Sequence, residues 1–226
     1  MMTQGLSRLV RNCLLCGLAL SAPIGCSSDP GVARLLERVN PFSRTEPTAA
    51  PAFVAAVQSQ SPRYIAAVEK NPSVIALFAR QTLSDVSGVG TFIGPDGTQL
   101  MFDDGFLVGS RGFGGDVMAS DVKQVAAVVK NRSAGVATRL MTLIDGEDRA
   151  ITRAFKCRIT PGRTESVIIG TAQIMAQTVA EECRGEATSF VNFYWVVPDS
   201  GEIIQSSQWA GQVTGKISLR VAPADG

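Results

Sequence analysis

Five cysteines, three pairs of adjacent carboxylates and no histidine bound the chemistry open to this chain. Without imidazole there is no Ser-His-Asp or Cys-His relay and no His-ligated zinc. Hydrolysis by two carboxyl groups, as in glycosidases, remains formally open. The acids that suggest it are Asp103 and Asp104, Glu147 and Asp148, and Glu181 and Glu182. Neighbours on a strand point to opposite faces, and acids in turns are solvated, so adjacency argues against a shared scissile bond. The expectation is a protein that is not an enzyme and that carries neither metal nor cofactor.

Binding is the other chemistry to weigh. Tyr194, Trp195 and Trp209, with Gln205, Gln208 and Asn192 nearby, could form a platform on which sugar rings stack while their hydroxyls reach the amides. Core packing is the ordinary explanation for large aromatics on alternating strands. Arg111 is expected either to pair with Asp103 or Asp104 or to contact an acidic glycan. The glycines after it, in Arg111-Gly112-Phe113-Gly114-Gly115-Asp116, lack the spacing of a phosphate-binding loop. They read as a strand exit followed by a helix cap at Asp116.

The cysteines divide by position. Arg8 and Arg11 precede the apolar run 13–20, and small residues follow to Gly25, the pattern of an export signal over residues 1–25. Cys13 and Cys16 lie inside it, so their CxxC spacing carries no redox or metal reading. Ile24-Gly25-Cys26 resembles the end of a bacterial lipoprotein box, with Pro23 where Leu is usual. Cys26 is therefore the expected lipidation site, and ordinary cleavage near Ala19-Leu20-Ser21 is the alternative. A triacylated cysteine, with palmitate among its chains, stays in a membrane without further contacts. Cys157 and Cys183 then remain. In an exported chain the pair is expected to form a disulfide, the competing reading being free thiols.

The elements that must position these residues are mostly strands. Residues 26–61 read as an anchor and flexible tether, with a short helix in 31–39 and then Pro41, Pro47 and Pro51 among small polar residues. From 62 to 222 the pattern is one β-rich domain. Strands are expected at 63–69 and 73–80 around a turn at Asn71-Pro72. A meander follows through Pro95-Asp96-Gly97 and Asp104-Gly105. Met118, Val122, Val125 and Val129 recur at helical steps, predicting a helix within 116–130 capped by Asp116 or Ser120. Strands at 136–144 and 150–160 flank a turn at 145–148. Residues 173–183 fit either a helix or a strand, and bracketing turn signals favour the strand. A hairpin turns at 198–201 and places Trp195 and Trp209 on one side of the sheet, and a last strand spans 215–221. The fold class is mainly β: a large antiparallel meander sheet, strongly curved or folded on itself, with one or two short helices.

The chain is formally +1, and −1 once Arg8 and Arg11 leave with the signal. No basic run is interleaved with aromatics, so nucleic acid is not an expected partner. The export signal, the segment Asp104–Asp116, the cysteine pair, Asn192-Phe193-Tyr194-Trp195 and Gln205-Ser206-Ser207-Gln208-Trp209 together resemble the YjbF family of group 4 capsule polysaccharide lipoproteins, over roughly residues 63–221. The resemblance implies a lipid-anchored envelope protein of capsule or exopolysaccharide production, and brings no catalytic residues. The expected role is non-enzymatic help in polysaccharide secretion or assembly at the periplasmic face of the outer membrane, with glycan or envelope secretion proteins as partners. A soluble periplasmic location is the alternative. The functional rivals are a carrier of apolar ligands, with a cavity lined by Phe102, Phe106 and Trp195, and a carboxylate-dependent glycoside hydrolase.

Overall fold

A computed structural model describes residues 48–59, 62–81, 88–144 and 149–223. The chain divides after Glu46, and the unit from Pro47 holds all of these residues. The export signal, Cys26, the helix expected at 31–39 and the turn at 145–148 lie outside them.

Twelve strands form one antiparallel sheet: β1 (Arg63–Val68), β2 (Asn71–Arg80), β3 (Val89–Ile93), β4 (Gln99–Asp103), β5 (Phe106–Arg111), β6 (Val117–Asp121), β7 (Gly135–Ile144), β8 (Ala150–Ile169), β9 (Ala172–Arg184), β10 (Ser189–Val196), β11 (Ile203–Trp209) and β12 (Lys216–Val221). Their order is β5-β4-β3-β2-β1-β12-β11-β10-β9-β8-β7-β6. The sheet is thus two meanders of consecutive strands, joined where β1 pairs with β12 from Tyr64↔Val221 to Val68↔Ile217. It curls until its edge strands β5 and β6 approach each other, a barrel not quite closed. There the hydroxyl of Ser110 on β5 accepts from Val117 N on β6 at 3.0 Å and donates to Asp116 Oδ1 at 3.0 Å, and no ladder joins these two strands.

The expected fold class is therefore found, and its turns follow from local chemistry. Asp104 and Gly105 turn β4 into β5 at φ +49° and +88°, the left-handed pair that suits the twist of a two-residue hairpin. Alternation on β4 buries Leu100 and Phe102 and leaves Gln99, Met101 and Asp103 half-buried. Ring contacts among Phe92, Phe102, Tyr64, Phe155, Phe190 and Trp209 mark the inside of the curl.

Three local expectations need correction. The turn between β1 and β2 falls at Glu69-Lys70, and Asn71-Pro72 already belongs to β2. The predicted helix starts late: residues 117–121 pair with β7, and only α2 (Lys123–Lys130) is helical. An available sheet edge overrides a short helical periodicity. Val125 and Val129 are buried as expected, while Met118 is exposed on β6. Asp116 and Ser120 cap nothing, and Asp121 Oδ1 accepts from Lys123 N at 3.1 Å. Finally, part of the stretch read as tether is ordered. Helix α1 (Pro51–Gln58) starts on a proline, whose fixed φ suits the first turn, and buries Ala56 against Ala79 and Ile93.

β8 and β9 extend beyond the body as an arm. Their pairing shifts at Pro161–Thr164, and past that bulge the arm bends over the outer face of β10 and β11. Val167, Ile169 and Ala176 there cover Ile204, with Trp195 and Val197 packed alongside. Among the described residues no helix is long and apolar enough to cross a membrane.

Candidate functional site

The aromatic and amide residues singled out in the sequence do not form one platform. Alternation on β10 sends Tyr194 into the core and Trp195 to the outer face. Trp195 lies under the arm, its indole N–H donating to Glu165 Oε1 at 2.6 Å. That bond holds the Glu165 carboxyl below its ordinary range, with Arg163 adding to the effect. Trp209 ends β11 and turns inward, stacked on Phe190 at 4.5 Å and 10°. The expectation that both tryptophans share a face fails because β11 leaves strict alternation at its end, where Gln208, Trp209 and Ala210 are all buried.

The remaining candidates are mostly structural. Gln208 ties two layers together: its Oε1 accepts from Leu107 N at 2.9 Å and its Nε2 donates to Gly105 O at 2.8 Å. Gln205 Oε1 accepts from Arg220 Nε at 2.6 Å. Arg111 is exposed and makes no ion pair among the described residues. Asp104, one of its two expected partners, pairs with Lys130 Nζ instead. The glycine-rich segment after Arg111 folds around the Asp116 carboxylate, which accepts from Ser110 Oγ, Gly112 N and Phe113 N.

Sequence reasoning missed the most distinctive feature, a buried polar cluster. Arg139 on β7 donates to Glu181 on β9 through Nε at 2.9 Å and Nη2 at 3.0 Å, and both residues are essentially inaccessible. Glu181 Oε2 also accepts from Tyr194 Oη at 2.7 Å and Asn192 Nδ2 at 2.8 Å, while Asn192 Oδ1 accepts from Trp209 N at 2.8 Å. Among the described residues every buried side-chain polar atom has a partner. Burial, then the neighbouring Glu181 charge, pushes the Tyr194 hydroxyl well above its ordinary range. Burial opposes the Arg139 charge most, yet Tyr194 and Glu181 together hold the guanidinium above its usual value. The signal was available: Arg139 shares the inward parity of Ala137 and Met141, and Glu181 that of Val179 and Cys183.

Cys157 and Cys183 face each other across β8 and β9 and are bonded to one another. Their sulfurs and a Glu181 oxygen lie within 4.8 Å, but sulfurs joined in a disulfide are not thiolate ligands, and Glu181 is held by Arg139.

Two open depressions are lined by described residues. The larger, about 400 Å³, is the mouth of the curl where β7 and β8 meet the β11–β12 turn. Leu143, Ile151 and Val213 give it apolar walls, and Trp209, Arg153, Thr188 and Gln212 also line it. The smaller, about 330 Å³, holds Tyr64, Arg80, Asp104 and Glu202. Its two acids are exposed, whereas a general acid is kept protonated by burial. The space beside Phe102 and Ile203 is only about 10 Å³. Phe102 and Phe106 are packed in the core and Trp195 lies in a different cluster, so the three line no common cavity.

The comparisons agree with this architecture. Residues 37–221 match the model of a family described as group 4 capsule polysaccharide lipoprotein gfcB, YjbF. The chain is similar in fold to the hypothetical lipoprotein YmcC from Escherichia coli (K12), at 13% identity and a TM-score of 0.63, over 76% of this chain and 89% of that one. No curated protein matches it.

Proposed function

Since the chain belongs to the YjbF family of group 4 capsule polysaccharide lipoproteins, we propose that it is an envelope lipoprotein that assists polysaccharide secretion or assembly without performing chemistry. It is held at the periplasmic face of the outer membrane by acyl chains on Cys26, and its partners are the glycan or the proteins that export it. The observation that carries this reading is the family match, which takes in the whole β body. Support for a role without catalysis comes from the acids. Glu181, the buried one, is neutralised by Arg139, and its oxygens are occupied by Tyr194 and Asn192. Both of its oxygens are held by hydrogen bonds inside the core, away from any open cleft.

The test is genetic and chemical together. In a strain of the source organism lacking this protein, surface polysaccharide should fall while the cell-associated pool persists, and the full chain should restore export. Unchanged surface polysaccharide in the null strain would overturn the reading.

A further inference from the structure

We propose that the mouth lined by Trp209, Arg153 and Gln212 binds a sugar unit carrying a carboxylate, within the polysaccharide that the preceding reading assigns to this protein. The inference rests on that reading for its polymer, and on the geometry of the mouth for its chemistry.

Arg153 is the pivot. It shares the inward parity of Phe155, Cys157 and Ile159, which are all buried, but it sits where the curl opens and is exposed. The other inward arginine, Arg139, is fully satisfied by Glu181. Arg153 has no side-chain hydrogen bond or ion pair among the described residues. The acid on the same rim, Asp116, has both oxygens taken by Ser110, Gly112 and Phe113. A guanidinium beside a cavity, with no carboxylate partner among the described residues, is a fork suited to a carboxylate, which it can hold by two parallel bonds.

The rest of the mouth suits a sugar ring and not a bare anion. Leu143, Ile151 and Val213 offer apolar surface to the C–H face of a pyranose, and the largely buried Trp209, stacked on Phe190, reaches the lining behind them. Gln212 donates its Nε2 hydrogen to Thr188 Oγ1 at 3.1 Å, which leaves Oε1 to accept from a sugar hydroxyl. The volume, about 400 Å³, lies in the range of sites for small ligands. One wall is also preset. Thr214 Oγ1 donates to Gly115 O at 3.2 Å, and a Cβ placed on Gly115 would lie 2.4 Å from Val213, so the two loops meet at van der Waals limits. A wall that need not order on binding loses little entropy when the ligand arrives.

The experiment uses the full chain in detergent micelles with Trp195→Phe, so that Trp209 is the remaining tryptophan. Its fluorescence is followed on titration with a glucuronate-containing oligosaccharide, the same oligosaccharide reduced to its neutral form, and inorganic phosphate. The expected result is saturable change with the acidic sugar and at least about tenfold weaker binding of the neutral one. Arg153→Gln, at an exposed position, should erase that preference while leaving the melting temperature unchanged, and Arg153→Lys should keep part of it. Equal binding of the neutral sugar, binding that survives Arg153→Gln, phosphate competing as well as the acidic sugar, or no response to any of the three would each overturn the proposal. The export assay judges the parent reading independently, because a null strain can lose surface polysaccharide whatever this mouth binds.

Discussion

Arg139 and Glu181 meet inside the curl through two parallel hydrogen bonds of 2.9 and 3.0 Å, with almost no solvent on either side chain. The pair joins β7 to β9 across β8, the strand that lies between them in the sheet. A buried ion pair is weak evidence for net stability, because desolvation offsets much of the attraction, but breaking it strands a charge.

Glu181→Ala should therefore destabilise the fold by about 3–5 kcal/mol, whereas Arg139→Met combined with Glu181→Leu should cost far less than the sum of the single changes. Urea unfolding of the four members of the cycle checks this. Additive losses would show that the two side chains are not coupled.

Tyr64 and Tyr194 are the only tyrosines in the chain, and both are raised above their ordinary value: Tyr64 by burial and then by Glu202 and Asp104, Tyr194 by burial and then by Glu181. A folded value above the unfolded one, about 10, means the contribution is complete below that pH and is lost as pH rises beyond it. Phenolate absorbance should thus stay low in the native protein past pH ~10 and rise together with unfolding. Tyr194→Phe should flatten the alkaline loss. A tyrosine that titrates normally while the circular dichroism stays native would contradict this.

The Cys157–Cys183 bond closes a separation of 26 residues, for which chain entropy gives about 3.5 kcal/mol of stabilisation. Replacing both cysteines with alanine should lower the unfolding free energy by an amount of that order, and a reductant should have no effect on the double variant. Equal denaturation midpoints for variant and parent would remove the bond from any account of stability.

Cys26→Ser should move the protein from the membrane fraction to the soluble periplasm, and the parent should carry the added mass of acyl chains at its mature N-terminus. An unmodified parent mass with unchanged fractionation would refute the lipid anchor.

Much of the fold was legible because turn chemistry and period-two alternation act locally. Asp104-Gly105, the Ser189–Val196 strand and the strand reading of 173–183 needed no tertiary information. What escaped depends on pairing across the sheet. Residues 117–121 carry a helical spacing, but the edge of β7 claims them. Trp209 departs from alternation because its indole stacks on Phe190 of the neighbouring strand β10, a contact that the pattern along β11 alone does not give. Of the candidate binding residues, none was placed in the mouth for the right reason: Trp209 was picked for its ring, while Arg153 was passed over because the strand predicted through it said nothing of where the curl would open.

The seam between β1 and β12 has a consequence for manufacture. A ribosome delivers β1 early and β12 last, so the first strand waits with one flank bare while some hundred and fifty residues follow it. Neither meander can be zipped to the other until synthesis has nearly ended, and non-local pairing of this kind is slow. The seam is therefore the last piece of the sheet to close, and until it does the early meander carries a bare strand flank that is open to aggregation.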